Sequence, residues 1–326
     1  MSMSSSWLCL SASDSKADLS HATLSLDNRG LAYGDGFFTT MGVMDGEILW
    51  LDYHHQRITS HATALQLKVD SHSLMTALKT QAERLQQGVL KLIAVRAVQE
   101  VRGYGYAPSA SGSACEVWLK PSAMQVTTDH QLHLPDGCFI PTQPVSQAIC
   151  LSAQIACLPP PLAGLKSLNR LDTVLASAEL QRIKLHSLTS EPSAPAQSSI
   201  GEGLLRDMSG HWVEGTMSNV FYQLADAQAA MPQSLEPKNI MDMTQKNANY
   251  LTTGQWYTPS LAQSGVAGVM RQVIMDALSN TKYPVITRPL QNDDLPHLRR
   301  LFFCNALRGI MPMSSLTLLS GEVMEF

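Results

Sequence analysis

A chain of 326 residues, 44% of them hydrophobic, is longer than one typical domain needs and can bury a large core, so two domains are expected. Its net charge is −4 and its 15% of charged residues include no long basic run, which excludes nucleic acid and an acidic membrane surface as evident partners. Cys9, Cys115, Cys138, Cys150, Cys157 and Cys304 form no C-x-x-C pair and lie near no histidine cluster. That spacing argues against zinc and against a disulfide framework, and predicts reduced, mostly buried thiols.

Near the N-terminus, Trp7-Leu-Cys-Leu10 is too short for the apolar core of a signal sequence, and the first basic residue is Lys16. No apolar run approaches the ~18 residues of a membrane span, and a cytoplasmic location is expected. Strands and helices then alternate without an internal repeat, which reads as an α/β or α+β fold. Gly34 and Gly36 flank Asp35 ahead of a strand, so they read as a turn leading into it and not as a phosphate loop. Residues 36–51 read as two strands around Asp45-Gly46, a strong hairpin signal. A helix follows from about Tyr53 to Leu67. In it His54 and His55 are adjacent, point in different directions and cannot share a metal.

A second helix is predicted over Ser73 to Gln87, closed by Gly88, and Val89 to Val98 reads as a buried strand. Val117-Trp-Leu119 closes the first half. Pro121, Pro135, Pro141 and Pro144 mark a linker, which divides the chain into a small domain at 1–122, a linker at 123–143 and a large domain at 144–326. Two segments of the large domain, near 187–206 and 225–253, read as surface insertions. The first runs through Ser187 to Ser199, too polar to pack. The second interrupts a strand pair joining Asn219-Val-Phe-Tyr222 to Gln255-Trp-Tyr-Thr-Pro259.

Lys166 stands out within Leu162-Ala-Gly-Leu-Lys-Ser-Leu-Asn-Arg-Leu-Asp172. A lysine taken alone is a solvated surface charge. Here Pro159-Pro-Pro161 and Gly164 fix an approach that cannot be helical, while Leu171, Val174, Leu175 and Ala178 recur at helical spacing. Lys166 is thereby placed at a strand-to-helix junction, as a candidate covalent anchor for a carbonyl cofactor.

Three other clusters join it. Ser264-Gly-Val-Ala-Gly268 precedes a helical pattern of Val269, Met270, Val273, Ile274, Ala277 and Leu278, with Arg271 in the first turn. Such a helix start presents main-chain N–H groups to a phosphate. In His211-Trp-Val-Glu-Gly-Thr-Met-Ser-Asn-Val-Phe221, Glu214 ends a short strand before a polar turn. In Phe303-Cys-Asn-Ala-Leu-Arg-Gly-Ile-Met-Pro-Met313 an apolar strand breaks at Asn305 and Gly309. Asn305 there reads equally as a phosphate donor or as a simple turn residue.

These clusters, with Asn28-Arg-Gly-Leu-Ala-Tyr-Gly-Asp-Gly-Phe-Phe-Thr-Thr40, His54-His-Gln-Arg-Ile58, Arg102-Gly-Tyr-Gly105 and Cys304-Asn-Ala-Leu307, resemble the fold type IV family of pyridoxal-phosphate enzymes. The resemblance runs from Leu26 onward and is nearest to the 4-amino-4-deoxychorismate lyases. It implies a small N-terminal α/β domain, a larger C-terminal domain with a barrel-like sheet, and a homodimer. It also implies that Lys166 bonds the cofactor pyridoxal 5'-phosphate and that Glu214 faces its pyridine nitrogen. A carboxylate about 4 Å from a pyridinium contributes about 4 kcal/mol at an effective dielectric near 20, enough to keep that nitrogen protonated. Arg57, the backbone at Val269 and Met270, and Asn305 are implied to cradle the phosphate, and Arg170 to bracket the ring. Met270 stands where the aminotransferases of the family often place a threonine.

For the lyases the implied reaction releases 4-aminobenzoate and pyruvate from 4-amino-4-deoxychorismate, with Lys166 as proton shuttle and Thr39 or Thr40 assisting. The resemblance places the chain in folate biosynthesis. Substrate carboxylates are assigned to Arg102 beside Tyr104, with Arg308 and Arg96 behind them. A D-amino acid or branched-chain aminotransferase is the alternative reading. A homologue that binds without turnover is the third, and intact Lys166, Glu214 and Arg57 argue against it.

Overall fold

The computed structural model describes residues 7–10, 24–126, 131–190, 200–225 and 250–326, except for the side chains of 187–190. The chain divides into two compact units. The first comprises Met1–Val126 with Leu165–Asn169, and the second Thr127–Gly164 with Arg170–Phe326.

In the first unit the elements are β1 (Leu8–Leu10), α1 (Arg29–Tyr33), β2 (Gly36–Met44), β3 (Glu47–Ile48), α2 (Leu51–Ala64), α3 (Ser71–Leu85), β4 (Gly88–Arg96) and β5 (Cys115–Ala123). The strands form one antiparallel sheet in the order β1-β5-β4-β2-β3. Asp45 and Gly46 both adopt positive φ, 52° and 78°, which a two-residue hairpin turn requires. Alternation along β2 buries Phe37, Thr39, Met41 and Val43, while Phe38 and Thr40 are half-buried on the other face. Helix α3 starts on an Asp70 side chain that accepts from the amides of His72 and Ser73. It buries Leu74, Leu78, Ala82 and Leu85 at helical spacing. Gly88 opens β4 rather than closing α3, because a Cβ there would run into the Ser122 carbonyl across the sheet. Both helices share one apolar core with the sheet, in which Phe37, Met41, Leu78, Leu90 and Leu92 are fully buried.

The second unit contains β6 (Gln131–His133), β7 (Phe139–Pro141), β8 (Ser146–Ile155), α4 (Leu171–Ser190), β9 (Ile200–Asp207), β10 (Trp212–Gly215), β11 (Asn219–Leu224), β12 (Tyr257–Thr258), α5 (Val269–Leu278), β13 (Ile286–Thr287), β14 (Leu298–Asn305), β15 (Gly309–Thr317) and β16 (Val323–Glu325). Strands β10-β9-β8-β15-β14-β11 pair in that order, and β11 pairs back to β10, so six strands close into a barrel-like sheet. One apolar cluster includes residues from all six of these strands, among them Ala148, Leu204, Trp212, Val220, Phe303 and Met311. A second packs α4 on Leu151, Ile155, Leu205 and Val213.

The structure departs from the sequence expectations in several places. Helix α4 buries Ala176 and Leu180, whereas Leu171, Val174 and Leu175 of the expected apolar stripe are exposed. Polar anchors set its rotation: Asp172 accepts from the Ala156 amide, and Glu179 accepts from the amides of Ser152 and Ala153 and the Ser152 hydroxyl. Both carboxylates flank Ala176 on one helical face, which turns that face to β8. The expected linker at 123–143 holds the β6–β7 hairpin, with Leu132, Leu134 and Ile140 buried. Residues 200–206, assigned to an insertion, form most of β9, with Leu204 and Leu205 fully buried. The remainder of the two expected insertions, at 191–199 and 226–249, lies outside the described residues. Only Cys150 and Cys304 are buried; Cys138 follows a hairpin turn and Cys157 follows β8, and both are exposed.

Candidate active site

The Lys166 segment is held by the first unit. Phe38 N donates to the Lys166 carbonyl at 3.0 Å and Leu168 N to the Gly36 carbonyl at 3.1 Å, so Leu165–Asn169 runs as an irregular strand along the start of β2. On its other side the Lys166 amide donates to His61 Nε2 of α2 at 2.9 Å. The Lys166 amine lies 4.6 Å from the centre of the Phe38 ring. Thr40, two residues beyond Phe38, sits on the same face of β2. Thr39 points the opposite way, fully buried, with its Oγ1 2.9 Å from His54 Nδ1 and accepting from Arg57 Nη1 at 3.4 Å. The structure thus separates the two threonines and leaves Thr40 on the lysine's side of the strand.

Arg57 and His61 are one helical turn apart on α2 and both are buried. Burial pushes the Arg57 guanidinium down to about 10. Burial, and then the charge of Arg57, push His54 down to about 3, so its imidazole is neutral. His54 is a core residue bonded to Thr39, on a helix position adjacent to His55.

Arg96 is not a substrate cation. Its guanidinium is buried, pairs with Asp35 at 2.9 Å and donates to the carbonyls of Leu65, Gln66 and Gly112. Asp35 also pairs with Arg29 at 2.9 Å, so the Asn28–Thr40 motif carries a structural ion cluster at the turn where Gly34, at φ 65°, ends α1. Arg29 donates in turn to the carbonyls of Gly103 and Tyr104, which fixes the backbone beside Arg102. Both Arg102 and Tyr104 are exposed, the latter at 85%.

In the second unit, Glu214 of β10 is buried and its Oε2 accepts from the Val266 amide at 2.8 Å. Val266 lies in the turn before α5. That turn is tied by Ser264 Oγ donating to Asp207 at 2.7 Å, by Asn219 Nδ2 donating to the Val266 carbonyl at 2.8 Å, and by Ala267 N donating to the Gly164 carbonyl at 2.9 Å. Gly268 is the N-cap of α5 and supplies no side-chain cap, so the amides that follow, Val269 and Met270 among them, keep the N-terminal polarity of the helix. A Cβ at Gly268 would run into Asn219 Oδ1. The Met270 side chain is buried in the core.

Arg271 is committed elsewhere, to Thr258 Oγ1 and the Pro259 carbonyl. Asn305 uses its Oδ1 to accept from the amides of Leu307 and Arg308, the turn-residue reading of that position. Its Nδ2 lies 3.4 Å from the Met217 carbonyl. Arg170 is half-buried, and its carbonyl accepts from Val174 at the start of α4. Arg308 is exposed on the β14–β15 turn.

Sequence reasoning missed His61, Glu202, Asp207 and Asn219. Glu202 is fully buried in β9 and accepts from the amides of Gly203 and Thr216 and the hydroxyls of Thr216 and Ser218, so it holds the turn that follows Glu214. Only His61 left a usable trace, its four-residue spacing from Arg57. Glu202 and Asn219 act on turns whose partners lie 14 or more residues away, and Asp207 joins its own local turn at Ser209 and His211 to the distant Ser264. Among the described residues no group of three or more His, Cys, Asp or Glu side chains is placed to hold a metal ion. Nor is any described helix long and apolar enough to cross a membrane.

Comparison with known proteins places the chain in a family. The amino-transferase class IV model matches residues 36–316. Aminodeoxychorismate lyase of Vibrio harveyi is 23% identical over 293 residues, 90% of this chain and 87% of that one. A putative branched-chain-amino-acid aminotransferase of Methanocaldococcus jannaschii is also 23% identical, over 91% of this chain and 83% of that one. The crystal structure of 4-amino-4-deoxychorismate lyase from Pseudomonas aeruginosa superposes with a TM-score of 0.66 at 29% identity, covering 91% of this chain and 88% of that one. The chain belongs to the class IV aminotransferase family, the fold type IV enzymes that work with pyridoxal phosphate.

Proposed function

We propose that the protein is a 4-amino-4-deoxychorismate lyase, converting 4-amino-4-deoxychorismate to 4-aminobenzoate and pyruvate. The observation that carries the covalent chemistry of this reading is the placement of the Lys166 amine over Phe38, on a peptide bonded on both sides and facing the same side of β2 as Thr40, and the choice of the lyase reaction rests on the lyase relatives. The donor set fits pyridoxal phosphate. A buried guanidinium at Arg57 and the uncapped start of α5 suit a phosphate, and the buried, acceptor-only Glu214 suits a protonated pyridine nitrogen. The shared fold with the lyase of P. aeruginosa supports it further.

In this reading Lys166 holds the cofactor aldehyde covalently, and Glu214 keeps the ring nitrogen protonated while the Val266 amide fixes its carboxylate. Arg57 and the amides of Val269 and Met270 take the phosphate. Asn305, its oxygen spent on the turn, can offer only Nδ2, and Arg170 brackets the ring. The bound cofactor supplies an electron sink. Lys166 Nζ, when not engaged with the aldehyde, would take the proton from the amine-bearing ring carbon and return a proton to the enolpyruvate that leaves through its oxygen from the neighbouring carbon, so that the ring becomes aromatic and the enol tautomerises to pyruvate. The Thr40 hydroxyl orients that transfer, and Arg102, beside Tyr104, meets the substrate carboxylates. The reading includes a homodimer, consistent with the exposed Leu171, Val174 and Leu175 of α4, and sedimentation tests it.

The M. jannaschii relative favours one second reading, an aminotransferase on the same anchor. A single assay separates the two. Pyruvate and 4-aminobenzoate formed without any amino acceptor support the lyase. Amino exchange that requires a 2-oxo acid, with no 4-aminobenzoate, supports the transferase. Lys166→Ala should abolish either activity.

A further inference from the structure

We infer that His61 is a positioning residue for Lys166, held in one neutral tautomer by a chain of hydrogen bonds that starts at Arg57; the inference rests on the assignment of Lys166 as the covalent anchor. Ser60 Oγ donates to the Arg57 carbonyl at 3.0 Å. Its hydrogen is committed there, so at its 3.3 Å contact with His61 Nδ1 the hydroxyl oxygen accepts and Nδ1 carries the proton. Nε2 is then a bare lone pair, which is what the Lys166 amide needs as its acceptor at 2.9 Å. The carbonyl of Lys166 accepts from Phe38 on β2. The run Arg57–Ser60–His61–Lys166–Phe38 therefore links the α2 turn bearing the buried guanidinium to the backbone of the lysine, through donors and acceptors that all match.

His61 is buried and its ring meets Phe37 edge-on, with centroids 5.5 Å apart, so the imidazole cannot swing away from the lysine segment without disturbing the core. Its hydrogen bond to the lysine is to the main-chain amide. Its effect is on where the Lys166 main chain sits and so on how readily the amine captures an aldehyde.

Two measurements test this. In the cofactor-free protein carrying 15N-labelled histidine, the two-bond proton–nitrogen correlation of His61 at neutral pH should show Nδ1 protonated and Nε2 bare. A protonated Nε2, in either the other tautomer or the imidazolium, would overturn the inference. In the second, pyridoxal phosphate is added and the link is fixed at timed intervals with borohydride, then Lys166 is quantified by peptide mass. His61→Leu should capture about tenfold more slowly, the loss of one partly buried hydrogen bond, and His61→Gln, whose amide oxygen falls near Nε2, should return to within about threefold of wild type. Equal rates for His61→Leu and wild type would also overturn it. If wild type captures the aldehyde at a lysine other than Lys166, the functional reading fails instead. Should His61→Leu not fold, the tautomer measurement on wild type decides alone.

Discussion

In the first unit the Lys166 amide is met by a side chain, the His61 imidazole, beside the main-chain bonds of that segment to β2, and Arg57 is bonded to Thr39; in the second, Glu214 is met by the main-chain amide of Val266, and α5 presents main-chain amides from Val269 and Met270. The two modes fail differently. A contact made by a side chain disappears when that residue is replaced, whereas a main-chain donor survives any replacement that leaves the backbone in place. Substitution should therefore be punishing along α2 and mild along the first turn of α5, except at Gly268, where Asn219 leaves no room for a Cβ.

The largest effect expected on this contrast is at Glu214, the side chain of the second unit assigned to the ring nitrogen. Glu214→Gln keeps an oxygen for the Val266 amide but removes the charge. Turnover should fall by about 10²- to 10³-fold with the fold intact, a loss of roughly 3–4 kcal/mol. Steady-state rates checked beside a thermal melt would show it, and an unchanged kcat would remove Glu214 from the ring nitrogen.

Arg57→Met comes next. Burial lowers this guanidinium to about 10, so it remains charged at neutral pH. The variant should bind pyridoxal phosphate about 30- to 1000-fold more weakly, read by titrating the cofactor-free protein with the cofactor. Unchanged affinity would remove Arg57 from the phosphate.

His54 sharpens the same point through pH. It is neutral when folded down to about pH 3 but takes a proton near 6.5 once unfolded, so protons favour the unfolded chain between those values. Stability should decline as pH falls below about 6.5, reaching about 2 kcal/mol of loss by pH 5 at 1.36 kcal/mol per pH unit. Denaturant titrations of wild type and His54→Gln should differ in that slope, and parallel curves would show that His54 titrates alike in both states. At the small end, Met270→Leu should cost under about 1.5 kcal/mol and leave cofactor affinity unchanged, because only its amide is assigned to the phosphate. A tenfold loss of affinity there would reverse the contrast between the two units.

Local rules carried much of the fold into the sequence. The Asp45-Gly46 turn, the buried spacing of Leu74, Leu78, Ala82 and Leu85, and the break between β14 and β15 are all written within a few residues. Helix α4 shows where such reading ends. Its most apolar stripe, Leu171, Val174 and Leu175, lies outward because Asp172 and Glu179 bond amides of β8 and just beyond it, and those acceptors cannot be foreseen from spacing. Strand β9 escaped because its pairing partners β8 and β10 make it a strand, while its own Gly-Glu-Gly start reads as loop.

For the site, Lys166 and Arg57 were visible through motif wording, and the structure ties them together through His61 and Ser60. Glu202 and Asp207 were not visible, since a buried carboxylate that only accepts from turns leaves no periodic trace. Arg96 shows the reverse error. An arginine near a plausible substrate loop looked available, and it is consumed by Asp35 and three carbonyls.

The most direct test is chemical. Purified protein is supplied with pyridoxal phosphate, reduced with borohydride and digested, and the modified peptide is sequenced. The account predicts a yellow protein that is reduced to one stoichiometric pyridoxyl adduct on Lys166. An adduct on any other lysine, or none, would contradict it.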